Sequence, residues 1–551
     1  MKKNKFLHFL LVLFVTLVIA GCERGYDSLI ETNKKPSVDY IIYENAEVSL
    51  PLTSFNSLNP LYMENSSYFY FSKLIYEGLF EYDEKLEPIP RLVSTYTIGE
   101  DGKSIDLTLK EGVKFHNGEL LSSKDVIFTI EMMKKAGGES YFKKLNQTGL
   151  LPTNYIVAAK RISDNKLTIT FKEPLAYMLD ILTFPIMPES NIKNALEKEN
   201  FSPIGTGAYK YIEHNKFKEI YLRANEDYRD GEPEISHIVG KIFQDEESIL
   251  TAFETGKLNI AKTSGIDWDK YESNKRISIY EFISNEYIAL AFNHKKEVFD
   301  IEKSKELKKA ILYGIDRQSI IEKVYLKHAT QTDTPINPIS YLYSEEAIRY
   351  GYNKEMAMDI LDKSGYIDSN NNGIREDLFG NDLNLKMIVT INNGLELKAV
   401  DMIKSYLKEI GIVLDIYLDS ASNDDTETLP KELLSGDYDL ALLGWKQSII
   451  PRYNYMLDSN MIEISNYSFY KDDDMDILLD DLDTSWDIVE KINLTNNLQN
   501  TFVEKLPYAS LYFKNGALLV DNFIEGPLNP NFYNIYEGLE KCYIKMSINQ
   551  D

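Results

Sequence analysis

IDLTLKEGVKFHNGELLSSKDVIFTIEMM, residues 105–133, is the stretch that shows the fold class most clearly. Its first residues alternate apolar and polar side chains, as in a half-buried strand, and its last residues carry apolar side chains at helical spacing. A turn separates the two parts, and Ser122 stands where a helix N-cap is expected. The apolar positions are Ile105, Leu107 and Leu109 in the strand and Val126, Ile130 and Met133 in the helix. The stretch therefore predicts a strand, a turn and a helix in succession.

A second segment, residues 385–443, repeats this alternation. Residues 385–391 form an apolar run typical of a buried strand, and a helical stripe follows that ends at Gly411. Residues 412–418 alternate as a second strand, and a short helix near Leu433 leads into a third strand at 438–443. This βαβαβ order predicts a doubly wound α/β lobe, whose ligand would lie at the carboxyl ends of the strands.

Length and charge narrow the class of protein. The chain has 551 residues, too many for one hydrophobic core, and its 44% apolar content predicts a folded protein of two or three lobes. Its formal net charge is −26. Because binding to a phosphate backbone requires a basic surface, nucleic acid is excluded as a partner.

The first residues have the order of an export signal. Three lysines precede an apolar run, residues 6–20, and Ile-Ala-Gly-Cys ends at Cys22. The run is shorter than the roughly 20 residues that a membrane-spanning helix requires. We therefore expect a signal peptide over residues 1–21 that ends in a lipobox, with Cys22 acylated and the protein held at the outer face of the cell membrane. An ordinary cleaved signal followed by a coincidental Cys is the alternative.

Two further expectations follow from an acylated Cys22. Residues 22–37 have little apolar periodicity and are interpreted as a flexible tether. Cys542 is then left without a partner, so no disulfide is expected, and Cys542 is interpreted as a buried small apolar residue.

Several turn residues have local interpretations. Gly112, Gly118, Gly205 and Gly207 are expected to be turn formers that permit positive φ, and His116 a hydrogen-bonded turn residue. Asp316 is predicted to be a helix N-cap.

Six separated segments, in a fixed order, carry a family resemblance. Residues 57–83 contain a Leu-Asn-Pro turn and a following Tyr-Glu-Gly-Leu, and residues 105–133 are the most diagnostic part. The others are PIGTGAYKY (203–211), residues 223–260, YGIDRQSIIEKVY (313–325) and GDYDLALLGW (436–445). The chain resembles the oligopeptide-, dipeptide- and nickel-binding class of extracellular solute-binding proteins, which serve ABC importers.

The resemblance implies an α/β, two-lobed periplasmic-binding-protein-like fold of class II with an extra subdomain. Crossover strands would join the lobes, which would close on the ligand by a hinge motion. Lobe I would comprise residues 38–80, 200–287 and 518–551, the additional subdomain 81–199, and lobe II 288–517. The implied function is the capture of oligopeptides in the interlobe cleft and their delivery to membrane permease subunits. We expect no catalysis, no cofactor and a monomer.

Candidate ligand-binding residues follow from the resemblance, position by position. They are Glu64, Asn65 and Ser66 after the Asn-Pro turn, Tyr141 in the subdomain, Trp445, Lys446, Gln447 and Ser448 after the last strand of lobe II, and Tyr512 near the second crossover. From the residues alone, Trp445 fits an aromatic platform or a core tryptophan equally well, and the resemblance favours the platform.

One position departs from the family pattern. Peptide-binding members usually carry an Asp three residues after the Trp, which pairs with the α-ammonium of the ligand, and here that residue is Ser448. A buried ammonium without a carboxylate is costly. Either another acid such as Asp419 or Glu64 takes this role, or the ligand is N-blocked, cyclic or not a peptide.

Asp368, Asn370 and Asn372 are a weak candidate for a metal site, because their oxygen donors alternate before Gly373 as in a calcium loop. The twelfth position holds Phe379 instead of Glu, so charge and bidentate closure are lacking and an Asn/Gly-rich turn is favoured. Nickel is disfavoured because the histidines are scattered.

Two other classes of function stay open. A secreted hydrolase finds little support, since the chain has no His-Glu-x-x-His and no Gly-x-Ser-x-Gly, and its acid runs are typical of solvated faces. A sensor that captures a signalling peptide would have the same fold as an importer component.

Overall fold

A computed structural model describes residues 40–42, 46–55, 57–63, 65–137, 151–215, 218–300, 304–347, 349–390, 393–418 and 431–547. The chain divides into a main unit, Glu44–Ile544, and a small unit made of the two chain ends, residues 1–43 and 545–551. In the small unit, strand β1 (Tyr40–Ile42) pairs antiparallel with residues 545–547. The predicted signal peptide, Cys22 and the tether lie outside the described residues. None of the helices described is both long and apolar enough to cross a membrane.

Strands of very different length are distributed along the whole main unit. They are β2 (Glu47–Thr53), β3 (Phe80–Tyr82), β4 (Pro88–Pro90), β5 (Val93–Ile98), β6 (Ser104–Leu109), β7 (Ile156–Arg161), β8 (Lys166–Phe171), β9 (Tyr209–Asn215), β10 (Glu219–Ala224), β11 (His237–Phe243), β12 (Ile260–Thr263), β13 (Ile277–Phe292), β14 (Ala329–Gln331), β15 (Asn384–Val389), β16 (Val413–Leu418), β17 (Leu440–Lys446), β18 (Tyr508–Asp521), β19 (Ile524–Glu525) and β20 (Tyr543–Ser547).

Helices alternate with these strands, mainly in the second half of the chain. They are α1 (Ser66–Ser72), α2 (Ser123–Ala136), α3 (Pro152–Tyr155), α4 (Glu246–Glu254), α5 (Lys305–Gly314), α6 (Arg317–Val324), α7 (Lys354–Lys363), α8 (Gly394–Glu409), α9 (Lys431–Ser435), α10 (Asn454–Leu457), α11 (Asp473–Thr484) and α12 (Ile488–Lys505).

Three sheets organise the main unit. One has the order β2-β11-β10-β9, with β2 and β11 parallel, and an antiparallel sheet has the order β5-β6-β8-β7. The largest has the order β12-β18-β13-β17-β15-β16, with β14 added beside β18. In it β15 pairs in parallel with both β16 and β17, which confirms the doubly wound βαβαβ region predicted for residues 385–443.

Two long antiparallel strands, β13 and β18, run through both halves of the largest sheet. Residues 277–283 of β13 pair with residues 515–521 of β18 in the part of the sheet next to β12. Residues 287–291 of β13 pair with residues 508–513 of β18 in the part next to β17. The register between them shifts at Ile283/Tyr287 and again at Ile288/Ala289. A register shift locally disrupts the ladder and bends the strands, so this point lies where two lobes would hinge.

The hydrophobic core is divided at the same place. One large cluster draws on residues 46–282 and 518–544 together with Ile450, and a second lies entirely within residues 287–513. A small third cluster packs α4 against one face of β12 and β18. Two cores joined by two shared strands confirm the two-lobed α/β fold. The boundaries expected for the subdomain and for each lobe stay a prediction.

The diagnostic stretch folds as its pattern predicts. Strand β6 and helix α2 follow one another, and the N–H and the hydroxyl of Ser122 both donate to the carboxylate of Asp125 at the first turn. This capping box fixes the helix start. Asp316 likewise caps its helix by accepting from the N–H of Ser319 at 2.9 Å.

Positive φ was the wrong reason for the glycines at positions 205 and 207, although it holds for two others. Gly112 and Gly118 have positive φ, as expected. Gly205 does not need positive φ; a Cβ there would lie 2.0 Å from the carbonyl oxygen of Ile75, and one on Gly207 2.6 Å from the Ile75 carbonyl carbon. These glycines are required by the close approach of two backbones.

His116 sits against these glycines, and it gives the stability a pH dependence. Its Nε2 lies 3.0 Å from the carbonyl oxygen of Gly207, and burial lowers its pKa to about 4. The folded state therefore binds this proton less readily than the unfolded state, so stability is lost as the pH falls from 6.5 towards 4, by about 3 kcal/mol. We expect His116→Asn to remove that loss, measured by urea unfolding at pH 7 and pH 4.5. The exposed His237→Asn is the control, and a variant that keeps the wild-type pH dependence would contradict the assignment.

Candidate functional site

The end of β17 presents an open strand edge. On one side β17 pairs with β13 along its whole length, as far as Lys446 opposite Glu286. On the other side β15 pairs only with Leu440, Ala441 and Leu442, and Gly444 is exposed. Among the described residues, no strand therefore covers this edge beyond Leu442. Unpaired N–H and C=O groups on a strand edge can pair with an added strand.

Trp445 lies at this edge, half-buried. Its ring stacks on Tyr287 with the centroids 5.7 Å apart and meets Tyr508 edge-on at 5.6 Å. The partners belong to the core of residues 287–513, so one side of the indole is fixed by packing. These contacts show the core packing of Trp445, and its role as an aromatic platform for a ligand stays a prediction.

Gln447 ends the strand and is buried. Its N–H donates to the carbonyl of Asn285 of β13 at 2.9 Å, and its own carbonyl accepts from the side-chain amide of Asn285 at 2.7 Å. The Gln447 side-chain amide lies beside the buried hydroxyl of Tyr455 and interacts with it. Gln447 is therefore held by β13 through its main chain and by Tyr455 through its side chain.

The other lobe contributes the start of α1. Asn65 is its N-cap: the side-chain carbonyl accepts from the N–H of Tyr68 at 2.9 Å, and the amide donates to the carbonyl of Ser54 at 2.7 Å. Both the oxygen and the nitrogen of the Asn65 amide therefore take part in hydrogen bonds within the fold. Ser66 is exposed at the first turn, and its side chain is available to a ligand.

Ser54 also lines a cavity at the carboxyl ends of β2 and β11. The cavity has a volume of about 810 Å³. Its walls are Ser54, Phe55, Ser57, Leu58, Glu199, His214, Asn215, Glu219, Ile242, Phe243, Gln244 and Ser248. Its position at strand carboxyl ends matches that expected for a ligand of this fold class.

Charged residues gather where the crossover strands meet the end of β17. We call Lys262, Glu286, Glu396, Lys446 and Lys514 the crossover charge cluster. Lys514 Nζ lies 3.5 Å from one oxygen of Glu286, and Lys446 Nζ 3.9 Å from the other. Lys514 also forms an ion pair with Glu396, which is fully buried. The cluster ties both crossover strands to the first turn of α8.

The predicted residue Tyr512 lies inside this arrangement and is fully buried. Its hydroxyl is 2.9 Å from that of Tyr325, which lies 3.3 Å from Glu396 Oε1. Burial raises the pKa values of both tyrosines far above the ordinary range. In this conformation the Tyr512 side chain is buried and contacts the crossover charge cluster through Tyr325, so it does not face an open cleft.

The remaining predicted residues are placed as follows. Ser448 is half-buried, and its hydroxyl oxygen accepts from the N–H of Ile450 at 3.1 Å. Lys446 is exposed. Glu64 and Tyr141 lie outside the described residues, as does Asp419.

The turn at residues 368–374, the weak candidate for a metal site, uses its oxygens in internal hydrogen bonds. The Asp368 carboxylate accepts from the N–H groups of Asn372 and Gly373, and Asn372 accepts from the N–H of Ile374 at 2.7 Å. This is the geometry of an Asx turn, which supports the favoured interpretation. Within the described ranges, no group of three or more His, Cys, Asp or Glu side chains could hold a metal ion. Cys542 is buried and free, and burial raises its pKa to about 12.

Sequence reasoning missed Lys262, Glu286, Glu396 and Lys514. Glu396 carried a usable signal: it occupies the same helix face as Val400 and Ile403, both buried, so a charged residue there predicts a buried ion pair. The others carry no local signal, because their proximity depends on the pairing of strands far apart in the chain.

Two lobes joined by crossover strands, with polar residues and an open strand edge where the lobes meet, define a solute-binding protein of the class that serves ABC importers. The chain belongs to the bacterial extracellular solute-binding proteins of family 5. The model of this family, described as "Bacterial extracellular solute-binding proteins, family 5 Middle", matches residues 87–460.

Curated relatives and solved structures agree with this assignment. Oligopeptide-binding protein AppA of Bacillus subtilis is 25% identical over 85% of this chain and 86% of its own length. Its complex with a nonapeptide superimposes with a TM-score of 0.61 at 21% identity, covering 92% of this chain and all of the other. Heme-binding protein A of Haemophilus influenzae is 23% identical over 87% of each chain. The periplasmic murein tripeptide-binding protein MppA, in its unliganded open form, has a TM-score of 0.77 at 16% identity, covering 93% of this chain and 99% of the other.

Proposed function

We propose that this protein captures peptides in the cleft between its lobes and delivers them to a membrane permease of an ABC importer. The open edge of β17 is the observation that carries this proposal. An extended peptide can add to that edge as a strand, which provides main-chain hydrogen bonds and leaves the side-chain sequence largely free. The likeness to AppA in sequence supports a peptide ligand.

The strand-addition geometry can be tested with N-methylated peptides. Alternate N–H groups of an extended strand point to opposite edges, so only one of the two alternating sets can face β17. We expect methylation of one set to lower the affinity about tenfold per amide, and methylation of the other set to have little effect. Isothermal titration of a peptide that binds the unmodified protein gives this pattern directly. Equal effects at all amides, or none at any, would contradict pairing with the single edge of β17.

A second candidate is a ligand without a free α-ammonium. Ser448 supplies no carboxylate at the position where peptide-binding members usually have one, and its hydroxyl is turned towards its own backbone. An N-blocked peptide, or a compound of another class such as the one named for Heme-binding protein A, fits this site better than a free ammonium does. A sensor of signalling peptides would differ from an importer component only in the partner to which it presents the peptide. Its signalling activity would therefore survive deletion of the permease.

Membrane attachment is part of the proposal. We expect Cys22→Ser to move the protein from the membrane fraction to the soluble fraction of the producing cells, because the acyl chains at Cys22 would supply the anchoring free energy. Cell fractionation and palmitate labelling measure this. The matched control is Cys542→Ser, which should leave both fraction and label unchanged, and labelling that persists in Cys22→Ser would contradict the lipobox assignment.

A further inference from the structure

Lys262 is the residue of the crossover charge cluster for which the described part of the chain supplies no carboxylate within ion-pair distance. It lies on β12 opposite Leu518 of β18 and is half-buried. Among the described residues it makes no hydrogen bond and no ion pair. Its Nζ lies 5.6 Å from the centroid of the Tyr70 ring, its one specific contact. A partly buried lysine without a carboxylate is costly, and burial lowers the pKa of Lys262 while Glu246 and Glu286 oppose that shift.

The register places Lys262 on the face of the sheet that points to the site. Paired residues of antiparallel strands share a face, and residues two apart along a strand do too. Leu518, Gly516 and Lys514 of β18 therefore lie on the same face as Lys262. Tyr70, beneath its Nζ, follows the exposed Ser66 by one helical turn of α1. Lys262 thus projects between the start of α1 and the crossover strands.

The acids near Lys262 are already engaged. Glu286 lies within ion-pair distance of both Lys446 and Lys514, and Glu396 is paired with Lys514. The carboxylate of Glu246 accepts from the N–H and the hydroxyl of Ser264, at 2.7 and 2.9 Å. At the position where the family pattern has an Asp, Ser448 adds no charge. Each of these three acids therefore has a partner other than Lys262.

We infer that Lys262 is a specificity-determining residue, which selects ligands that place a carboxylate at this point of the cleft. The inference rests on the proposed capture of peptides and names the charge that the peptide must carry. A peptide can supply that carboxylate from an acidic side chain or from its C-terminus, and both satisfy the same ammonium group. Lys262 is half-buried, and an ion pair shielded from solvent discriminates between charges more strongly than an exposed one does. The contact can therefore select between ligands.

Four synthetic peptides test this inference by isothermal titration against the full chain purified in detergent. They are Ala-Ala-Glu-Ala-Ala and Ala-Ala-Gln-Ala-Ala, each with a free or an amidated C-terminus. We expect removal of the carboxylate that Lys262 binds to lower the affinity about tenfold. A loss on replacing Glu with Gln identifies a side-chain source, and a loss on amidation identifies the C-terminus.

Three variants separate charge from folding. Lys262→Met should bind all four peptides with equal affinity, and Lys262→Arg should keep the preference because it keeps the cation. Lys404→Met, which removes an exposed lysine on α8, should behave as the wild type. A wild-type protein that binds the four peptides equally, or a preference that survives in Lys262→Met, would overturn the inference while the peptide-binding proposal stands. Failure of all four peptides to bind, in N-acetylated form as well, would instead overturn the peptide-binding proposal, and the inference with it.

Discussion

Replacing Lys491 with Met is expected to lower the free energy of unfolding by about 3–5 kcal/mol, the cost of leaving one partner of a buried ion pair alone. Lys491 of α12 lies 3.6 Å from Asp180, and both side chains are at most 5% exposed. Its Nζ also donates to the carbonyl of Ala176 at 3.2 Å, and Asp180 accepts from the hydroxyl of Tyr82 at 2.9 Å. The pair joins a helix of the second core to the region expected to form the subdomain.

Urea denaturation followed by tryptophan fluorescence measures this effect. Trp486 lines the same small cavity as Asp180 and Lys491, so it reports on this contact in a background where Trp268 and Trp445 are replaced by Phe. The double variant Asp180→Asn, Lys491→Met should recover much of the loss, because it leaves no unpaired buried charge. Lys305→Met is the control, since Lys305 pairs with Glu504 in solvent and its loss should cost less than about 1 kcal/mol. A Lys491→Met variant as stable as this control would show that the pair contributes nothing.

Glu77→Gln is expected to have an effect of similar size, about 3–5 kcal/mol at pH 7. Glu77 is 5% exposed and accepts two hydrogen bonds from Arg229, at 2.5 and 2.9 Å, and one from Arg91 at 2.8 Å. Thr206 donates a further bond at 2.8 Å. Burial alone would raise the pKa of Glu77, but the two arginines outweigh it and hold the pKa below its ordinary value.

The pH dependence distinguishes a charge effect from a packing effect. A carboxylate with a lowered pKa stabilises the folded state above the unfolded pKa of about 4.5, and this stabilisation is lost as the pH falls through the folded pKa. The difference between wild type and Glu77→Gln should therefore shrink in urea titrations below pH 4.5. Glu504→Gln, on the surface, should show a much smaller loss and a weaker trend, because solvent screens the pairing of Glu504 with Lys305 that lowers its pKa. A difference that stays constant down to pH 3 would mean that the amide disturbs packing alone.

The fold could be predicted where the signal is local. Apolar residues spaced at two and at 3.6 residues predicted β6, α2 and the βαβαβ region, and Ser122 and Asp316 predicted the starts of two helices. Each of these signals depends on residues close in sequence. Gly205 shows the limit. The sequence indicates that a glycine is needed, but the reason, a carbonyl of Ile75 that leaves no room for a Cβ, belongs to a segment 130 residues away.

The site could be predicted less completely. The family pattern led to Trp445, which lies at the open edge of β17, and to Tyr512, which the structure places in the core. Lys262, Glu286 and Lys514 come together through the pairing of β12, β13 and β18, whose partners are more than 200 residues apart. Register of that kind is set by tertiary packing, and no single segment encodes it.

The central claim, that this chain is a peptide-binding component of an importer, is tested most directly by its natural cargo. Native mass spectrometry of the protein purified from cells grown in rich medium, with the bound ligand released and sequenced, gives the answer. The account predicts intact peptides of mixed sequence and narrow length, each with a carboxylate in a common position. A single non-peptide compound would overturn the peptide ligand and keep the binding role, whereas fragments produced by turnover of an added substrate would contradict the claim itself.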